Sequence, residues 1–225
     1  MNDFHYDQKE ALLKTVRRHI RVNRAKSLLD IGAGDGRLAI RLANLVPIYA
    51  AVEKNKNYVS RLKKAGVSVI PGIFPLKTVG EFDVVLASHS LPEKKNLYKR
   101  FLEAAWRKVR LGGILLIITF KGSRGGFAEL YKSLYRKDWE ADQEMHKEMI
   151  SILKRLGKVK VEKVTSTIKT RSLDTMIDAL LNPLGIKAAE MEKHHARLEK
   201  ILERKFKSRK GYRFPTPHLV ISVRK

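Results

Sequence analysis

The sequence predicts an α/β fold built on a doubly wound, mostly parallel sheet with helices on both faces. Three observations predict it. Short, continuous apolar runs alternate with amphipathic helical stretches over the first 120 residues. The runs lack the polar-apolar alternation of a half-exposed strand and read as strands buried on both sides. A glycine turn leaves the first run and opens a helix.

The first element is a helix over 8–22, in which Ala11, Leu12, Thr15, Val16, His19 and Ile20 recur at helical spacing. Lys9, Lys14, Arg17, Arg18 and Arg21 fall mostly on its other face. Five parallel strands follow, at 27–31 (SLLDI), 48–52 (IYAAV), 67–70 (VSVI), 82–87 (FDVVLA) and 114–120 (ILLIITF). Helices are predicted between them at 37–45, 56–65 and 93–109, the last with Leu97, Phe101, Ala105 and Val109 in one stripe. After Phe120 comes a glycine-rich KGSRGG segment, then a helical region at about 127–156 carrying Leu130, Leu134, Met145, Met149, Ile152 and Leu156. No further βαβ unit is visible. Residues 159–165 (VKVEKVT) alternate as a strand, and 218–223 (HLVISV) form another. A helical insertion, about 172–213 and including a charged helix at 186–206, is too long for a hairpin connection.

The chain has 225 residues, 44% of them hydrophobic and 31% charged, a globular composition with a heavily charged surface. It has no cysteine, which excludes disulfides, thiolate zinc sites, iron–sulfur clusters and a cysteine nucleophile. No signal peptide, lipidation motif or membrane-length apolar run is apparent, so a cytoplasmic location is expected. The net charge of +24 attracts polyanions. Absent Cys, scarce Gln and abundant Lys, Arg and Glu also match the usage of proteins from hot environments, which accounts for part of that charge on stability grounds.

The sharpest motif is Leu28-Leu29-Asp30-Ile31-Gly32-Ala33-Gly34-Asp35-Gly36-Arg37. Glycines suit a turn where a ligand lies against the backbone and where the chain takes positive φ. The spacing is G-x-G-x-G rather than the dinucleotide G-x-G-x-x-G, and the acid Asp30 precedes it, which favours a cationic ligand over a pyrophosphate. Glu53 ends the second strand, where a carboxylate can accept hydrogen bonds from both hydroxyls of a ribose.

These residues resemble the class I S-adenosylmethionine-dependent methyltransferases. The likeness rests on DIGAGDGR, on VEKN after the second strand, and on EFDVVLASHSL followed by a helix and VRLGGILLIIT. It covers about 25–120 specifically. It implies a single methyltransferase domain over 1–225: a capping helix (1–24), a cofactor-binding half (25–120) and a substrate-side half (121–225). The implied sheet has seven strands, with HLVISV as an antiparallel last strand beside the fifth. It implies S-adenosyl-L-methionine as cofactor and S-adenosyl-L-homocysteine as product. The methionine moiety would lie near Asp30, Gly32, Ala33, Gly34 and Gly36, the ribose on Glu53, and the adenine between Lys54 and the loop containing Ile73 and Phe74. That loop lacks the acid which many members of the family place there, so adenine contacts would be apolar or from backbone. Ala87 and Ser88 would complete the site.

Methyl transfer from a sulfonium requires mainly that donor and acceptor be held aligned and dry, with a base only where the acceptor loses a proton. His89, after the fourth strand, is the candidate base, since an imidazole titrates near neutrality. The loop there is not the Asp/Asn-Pro-Pro-aromatic motif used by the family on exocyclic amines and glutamine amides, and there is no cysteine to attack a pyrimidine ring. Methylation of those nitrogens is therefore disfavoured, and the expected acceptor is a small molecule or RNA.

After Glu203 every charged residue is basic: Arg204, Lys205, Lys207, Arg209, Lys210, Arg213, Arg224 and Lys225. Phe206, Tyr212 and Phe214 are interleaved and could stack bases. Polyanion binding is expected through Arg17 to Lys26 and Arg204 to Arg213. Phe4, His5, Tyr6, Tyr131, Tyr135 and Trp139 fall in segments that cap the substrate pocket in the resembling family. His194 and His195 lack partners at ligand spacing and are expected on the surface; no metal is expected. Two other readings stay open, a non-catalytic nucleic-acid-binding protein on the same fold and a nicotinamide-dependent oxidoreductase.

Overall fold

The structure is a computed structural model that describes residues 4–76, 80–92, 94–121, 126–136, 141–181, 184, 186 and 191–225. Glu93 and Trp139 lie outside the described residues, as do the side chains of Phe4 and Tyr6. The chain divides into two compact units, the larger made of Leu12–Thr119, Met145–Val164 and Leu219–Lys225.

The larger unit holds the doubly wound sheet. Its strands are β2 (Ser27–Ile31), β3 (Ile48–Glu53), β4 (Val69–Pro71), β5 (Phe82–Ser88) and β6 (Val109–Phe120), joined by parts of β7 (Lys158–Thr170) and β9 (Gly211–Arg224). Their order is β7-β9-β6-β5-β2-β3-β4. β2 pairs in parallel with β3 and β5, β3 with β4 and β5 with β6, while β9 is antiparallel beside β6. This is the seven-stranded plan expected.

Both faces are covered, which is why the strands read as unbroken apolar runs. Leu28, Val84, Leu86 and Leu116 pack with α1 (Gln8–Val22), α2 (Ala39–Ala43) and α3 (Lys56–Lys64). Leu29, Ile31, Val85, Leu115 and Ile117 pack on the other face, with α4 (Tyr98–Arg107) and α6 (Ala141–Leu156). Each fully buried leucine or isoleucine contributes about 1.5–3 kcal/mol. α3 has clear ends: the Asn55 side chain accepts from the N–H groups of Asn57 and Tyr58. At its far end the Val67 N–H reaches Leu62 O and the Gly66 N–H reaches Lys63 O, a Schellman closure.

The helix expected at 93–109 is shorter. A 3-10 turn at Lys95–Leu97 leads into α4, and Val109 opens β6, fully buried and opposite Phe82. Gly113 fixes that change: a side chain there would sit 2.7 Å from the Asp83 carbonyl oxygen.

The smaller unit comprises Met1–Ala11, Phe120–Glu144 and Thr165–His218. β1 (Phe4–Tyr6) pairs antiparallel with the end of β7, from Phe4↔Thr170 to Tyr6↔Ile168, and β8 (Lys207–Ser208) pairs with the start of β9. Three helices, α5 (Gly126–Tyr135), α7 (Leu173–Leu181) and α8 (Met191–Lys205), share a core of Phe127, Leu130, Met176, Ile177, Leu198, Leu202 and Phe214. Two expectations are corrected here. His194 is buried, because it shares the core face of α8 with Leu198 and Ile201, and its ring lies 5.4 Å from that of Tyr135. Tyr212 and Phe214 are buried in the same core, at inward positions of β9, and present no stacking surface, while Phe206 is half-buried against it. No helix among the described residues is long and apolar enough to cross a membrane.

Asp83 fastens the start of β5 to the start of β2. Its Oδ2 accepts from the N–H of Lys26 (2.8 Å), the N–H of Ser27 (2.9 Å) and the Ser27 hydroxyl (2.9 Å). Burial alone would raise its carboxyl, but these donors and the Arg110 guanidinium outweigh burial and hold it below the ordinary value. Such a carboxylate stabilises fully above its unfolded pKa, about 3.9, and the contribution is lost as pH falls through the lowered folded value. Asp83→Asn is therefore expected to cost about 1–3 kcal/mol at pH 7. In urea unfolding at stepped pH, the gap between the two proteins should narrow below about pH 4.

Candidate active site

The loop between β2 and α2 begins where the sheet ends. The Gly32 N–H donates to Val52 O at 2.7 Å, continuing the β2–β3 ladder by one bond, and the chain then turns through Gly32 at φ +76°. A β-carbon at Gly32 would lie 2.4 Å from the Ser90 Cβ, so loop and serine are in direct contact. The Gly36 O accepts from the Ile40 N–H at 2.9 Å and starts the turn into α2.

Glu53, 6% exposed at the end of β3, is held from two sides. Its Oε2 accepts from the Gly34 N–H and its Oε1 from the Asn55 N–H, both at 2.8 Å. The carboxylate is thus oriented by the two loops that flank it, and each oxygen keeps a lone pair for a further donor.

Gly32, Gly34, Glu53, Lys54, Ile73, Phe74 and His89 line one cleft of about 870 Å³. Phe74 is buried edge-on against Phe101, ring centres 5.4 Å apart, whereas Ile73 is 73% exposed. His89 has φ +55° and is exposed, its N–H bonded to Ile118 O at 2.8 Å. The other residues singled out from sequence are nearby in the chain but do not line the cleft. Ala33 and Gly36 belong to the loop; Ala87 and Ser88 lie within β5, opposite Ile117 and Ile118. Asp30 is buried on the sheet face that carries Tyr49, whose hydroxyl donates to its Oδ2 at 2.8 Å. Burial first, then the charge of Asp30 and this bond, push the Tyr49 phenol well above its usual pKa.

The lining also includes residues that sequence reasoning passed over: Ser90, Lys94, Leu97, Arg100 and Phe101. The Ser90 Oγ is buried and has no hydrogen-bond partner. Its signal was its place after the fourth strand, one residue beyond His89. Lys94, ahead of α4, and Arg100, in its first turn, are exposed cations, where a single sequence shows only a charged helical face.

Residues 29–117 match the family model described as a methyltransferase domain. No protein of curated function matches the chain. Solved structures share the fold. One is YcgJ from Bacillus subtilis, at 13% identity, covering 95% of this chain and 97% of that one with a TM-score of 0.60. A precorrin-6y C5,15-methyltransferase from Geobacter metallireducens gives 16%, 93%, 87% and 0.54. A SAM-dependent methyltransferase from Geobacter sulfurreducens, in complex with S-adenosyl-L-homocysteine, gives 16%, 96%, 91% and 0.51. The matched stretch runs from β2 into β6 and contains the glycine loop and Glu53, so this part of the chain is a methyltransferase domain, of a kind whose cofactor is S-adenosyl-L-methionine.

Proposed function

We propose that the cleft beside Gly32 and Glu53 is where the cofactor lies, and that its methyl group passes to a small molecule or an RNA admitted at the side bordered by His89, Lys94 and Arg100. The observation that carries this reading is the Glu53 carboxylate, already oriented by two backbone N–H groups with lone pairs left for the two ribose hydroxyls. The buried, unpartnered Ser90 Oγ against Gly32 supports it, being a polar group suited to a bound ligand's donor or acceptor. Ile73 and Phe74 offer an apolar wall to the adenine, with Lys54 beside it; Ala33, Gly34 and Gly36 shape the loop around the methionine moiety. Asp30 acts from beneath, bonded to Tyr49. Ala87 and Ser88 end the strand that positions His89.

When bound, the cofactor supplies an electrophilic methyl group on a sulfonium. The residues of the chain align it, exclude water and, where the acceptor carries a proton, remove it through the His89 imidazole. Lys54, Lys94 and Arg100 outnumber the one acid of the described lining, Glu53, whose charge is turned to backbone donors. An anionic or phosphate-bearing acceptor suits that potential. Polyanion binding through Arg17 to Lys26 and Arg204 to Arg213 belongs to the same proposal.

S-Adenosyl-L-homocysteine at about a hundred times its Kd is expected to raise Tm by roughly 5–10 °C, with NAD giving no shift; an unchanged Tm at millimolar ligand would overturn the site. Glu53→Ala should weaken calorimetric binding of S-adenosyl-L-homocysteine by about 1–3 kcal/mol. Gly32→Ala forces a side chain onto Ser90 at positive φ, so it should abolish the ligand-induced shift and itself cost about 1–3 kcal/mol in urea unfolding.

A further inference from the structure

We propose that the outer face of α8 and the turn between β8 and β9 form a binding surface for the phosphodiester backbone of nucleic acid. Lys193, Arg197, Lys200 and Arg204 recur at i, i+4, i+7 and i+11, which places them in one stripe about 16 Å long. All four are exposed. Of the three acids of the same helix, Glu192 is exposed at its first turn and the other two are engaged elsewhere. Glu203 accepts from Lys207 Nζ at 2.6 Å and from the Tyr212 hydroxyl, and Glu199 lies 4.0 Å from the His195 Nδ1. Glu129, on α5, takes Lys205. Among the described residues no carboxylate lies within ion-pair distance of the four.

Two more cations follow the helix in the chain. Lys207↔Tyr212 and Ser208↔Gly211 close a hairpin whose two turn residues, Arg209 and Lys210, are exposed. Gly211 anchors the turn: at φ +108°, a side chain there would meet the Thr170 carbonyl oxygen at 2.1 Å. Six cations are thus presented on a packed helix and a pinned turn. Their mutual repulsion is relieved when a polyanion lies along them.

The partner is read from what the face lacks. The apolar side of α8 is spent on the core through Leu198, Ile201 and Leu202. None of the large exposed hydrophobic residues among the described ones falls in 191–225, so there is nothing here to enter a lipid surface. Of the neighbouring aromatics, Tyr212 and Phe214 are buried in the same core and Phe206 is half-buried against it, which leaves little aromatic surface for bases. What remains is charge at regular intervals, which holds phosphates without reading sequence. None of the six residues belongs to the cleft lining, so the surface deepens the polyanion binding proposed above without touching the cofactor site.

The test is fluorescence anisotropy of labelled RNA and DNA, single-stranded and duplex, over a salt series. The variant carries Lys193→Glu, Arg197→Glu, Lys200→Glu and Arg204→Glu; a control carries the same charge change at Lys14, Arg61, Lys63 and Lys64. Each phosphate contact contributes about 0.9 to the log–log salt slope on duplex and about 0.7 on single strands. The α8 variant should lose at least tenfold in affinity at moderate salt, with a slope lower by about 3, while the control stays within a few fold of the native protein. Equal losses in both variants, or none in either, overturn the proposal, as does tighter binding to phosphatidylserine vesicles than to any oligonucleotide. The S-adenosyl-L-homocysteine thermal shift reports whether each variant is folded; should the α8 variant fail it, the four glutamine replacements give the same reading with about half the change in charge.

Discussion

A parallel sheet has to be covered on both faces, and most of what this chain does follows from that. β2 and β5 are buried on both sides, so every connection between neighbouring parallel strands must cross over through a helix. Each crossover leaves a strand at its carboxyl end. The glycine loop after β2, the Glu53–Asn55 turn after β3 and the His89–Ser90 segment after β5 therefore emerge at one edge of the sheet, where ligands of such folds bind. They are strung along 58 positions of sequence, and the sheet alone makes them neighbours. The acid of β3 then accepts the N–H of a loop that follows β2, a bond no local preference would form.

The parts legible in the sequence are those set by local pattern. α1 runs from Gln8 to Val22 as its apolar spacing requires, and β2 occupies the SLLDI run. The glycine loop was legible because its residue types are a direct record of backbone shape. The parts that escaped depend on partners far away. β1 and β8 have three and two residues, too few for any period to register, and exist only through β7 and β9. Val109 satisfies a helical stripe as well as a strand; the tight packing of Gly113 on the Asp83 backbone decides between them.

β9 shows why composition misleads. Pro215 and Pro217 argue against a strand, yet it begins at Gly211. Being two apart, the prolines leave both missing N–H groups on the same side of the strand, and the residues that matter, Tyr212, Phe214, Thr216 and His218, alternate inward with period two. That alternation was in the sequence, masked by the arginine and the two prolines between. His194 was likewise marked by its spacing to Leu198 and Ile201 but read as polar. In the candidate site, Glu53 and the glycines carried a signal of type and position. Ser90 carried position alone, since a serine in a loop is ordinary until its hydroxyl is seen buried and without a partner.

The contact between Gly32 and Ser90 has a mechanical consequence. Where a methyl-sized addition would overlap a neighbouring carbon, there is no slack between the two loops, and close-packed atoms resist compression far more than they resist concerted travel. The turn after β2 and the segment after β5 therefore share a wall. Neither can advance toward the other without pushing it, so a ligand that presses on one of these two segments bears on both.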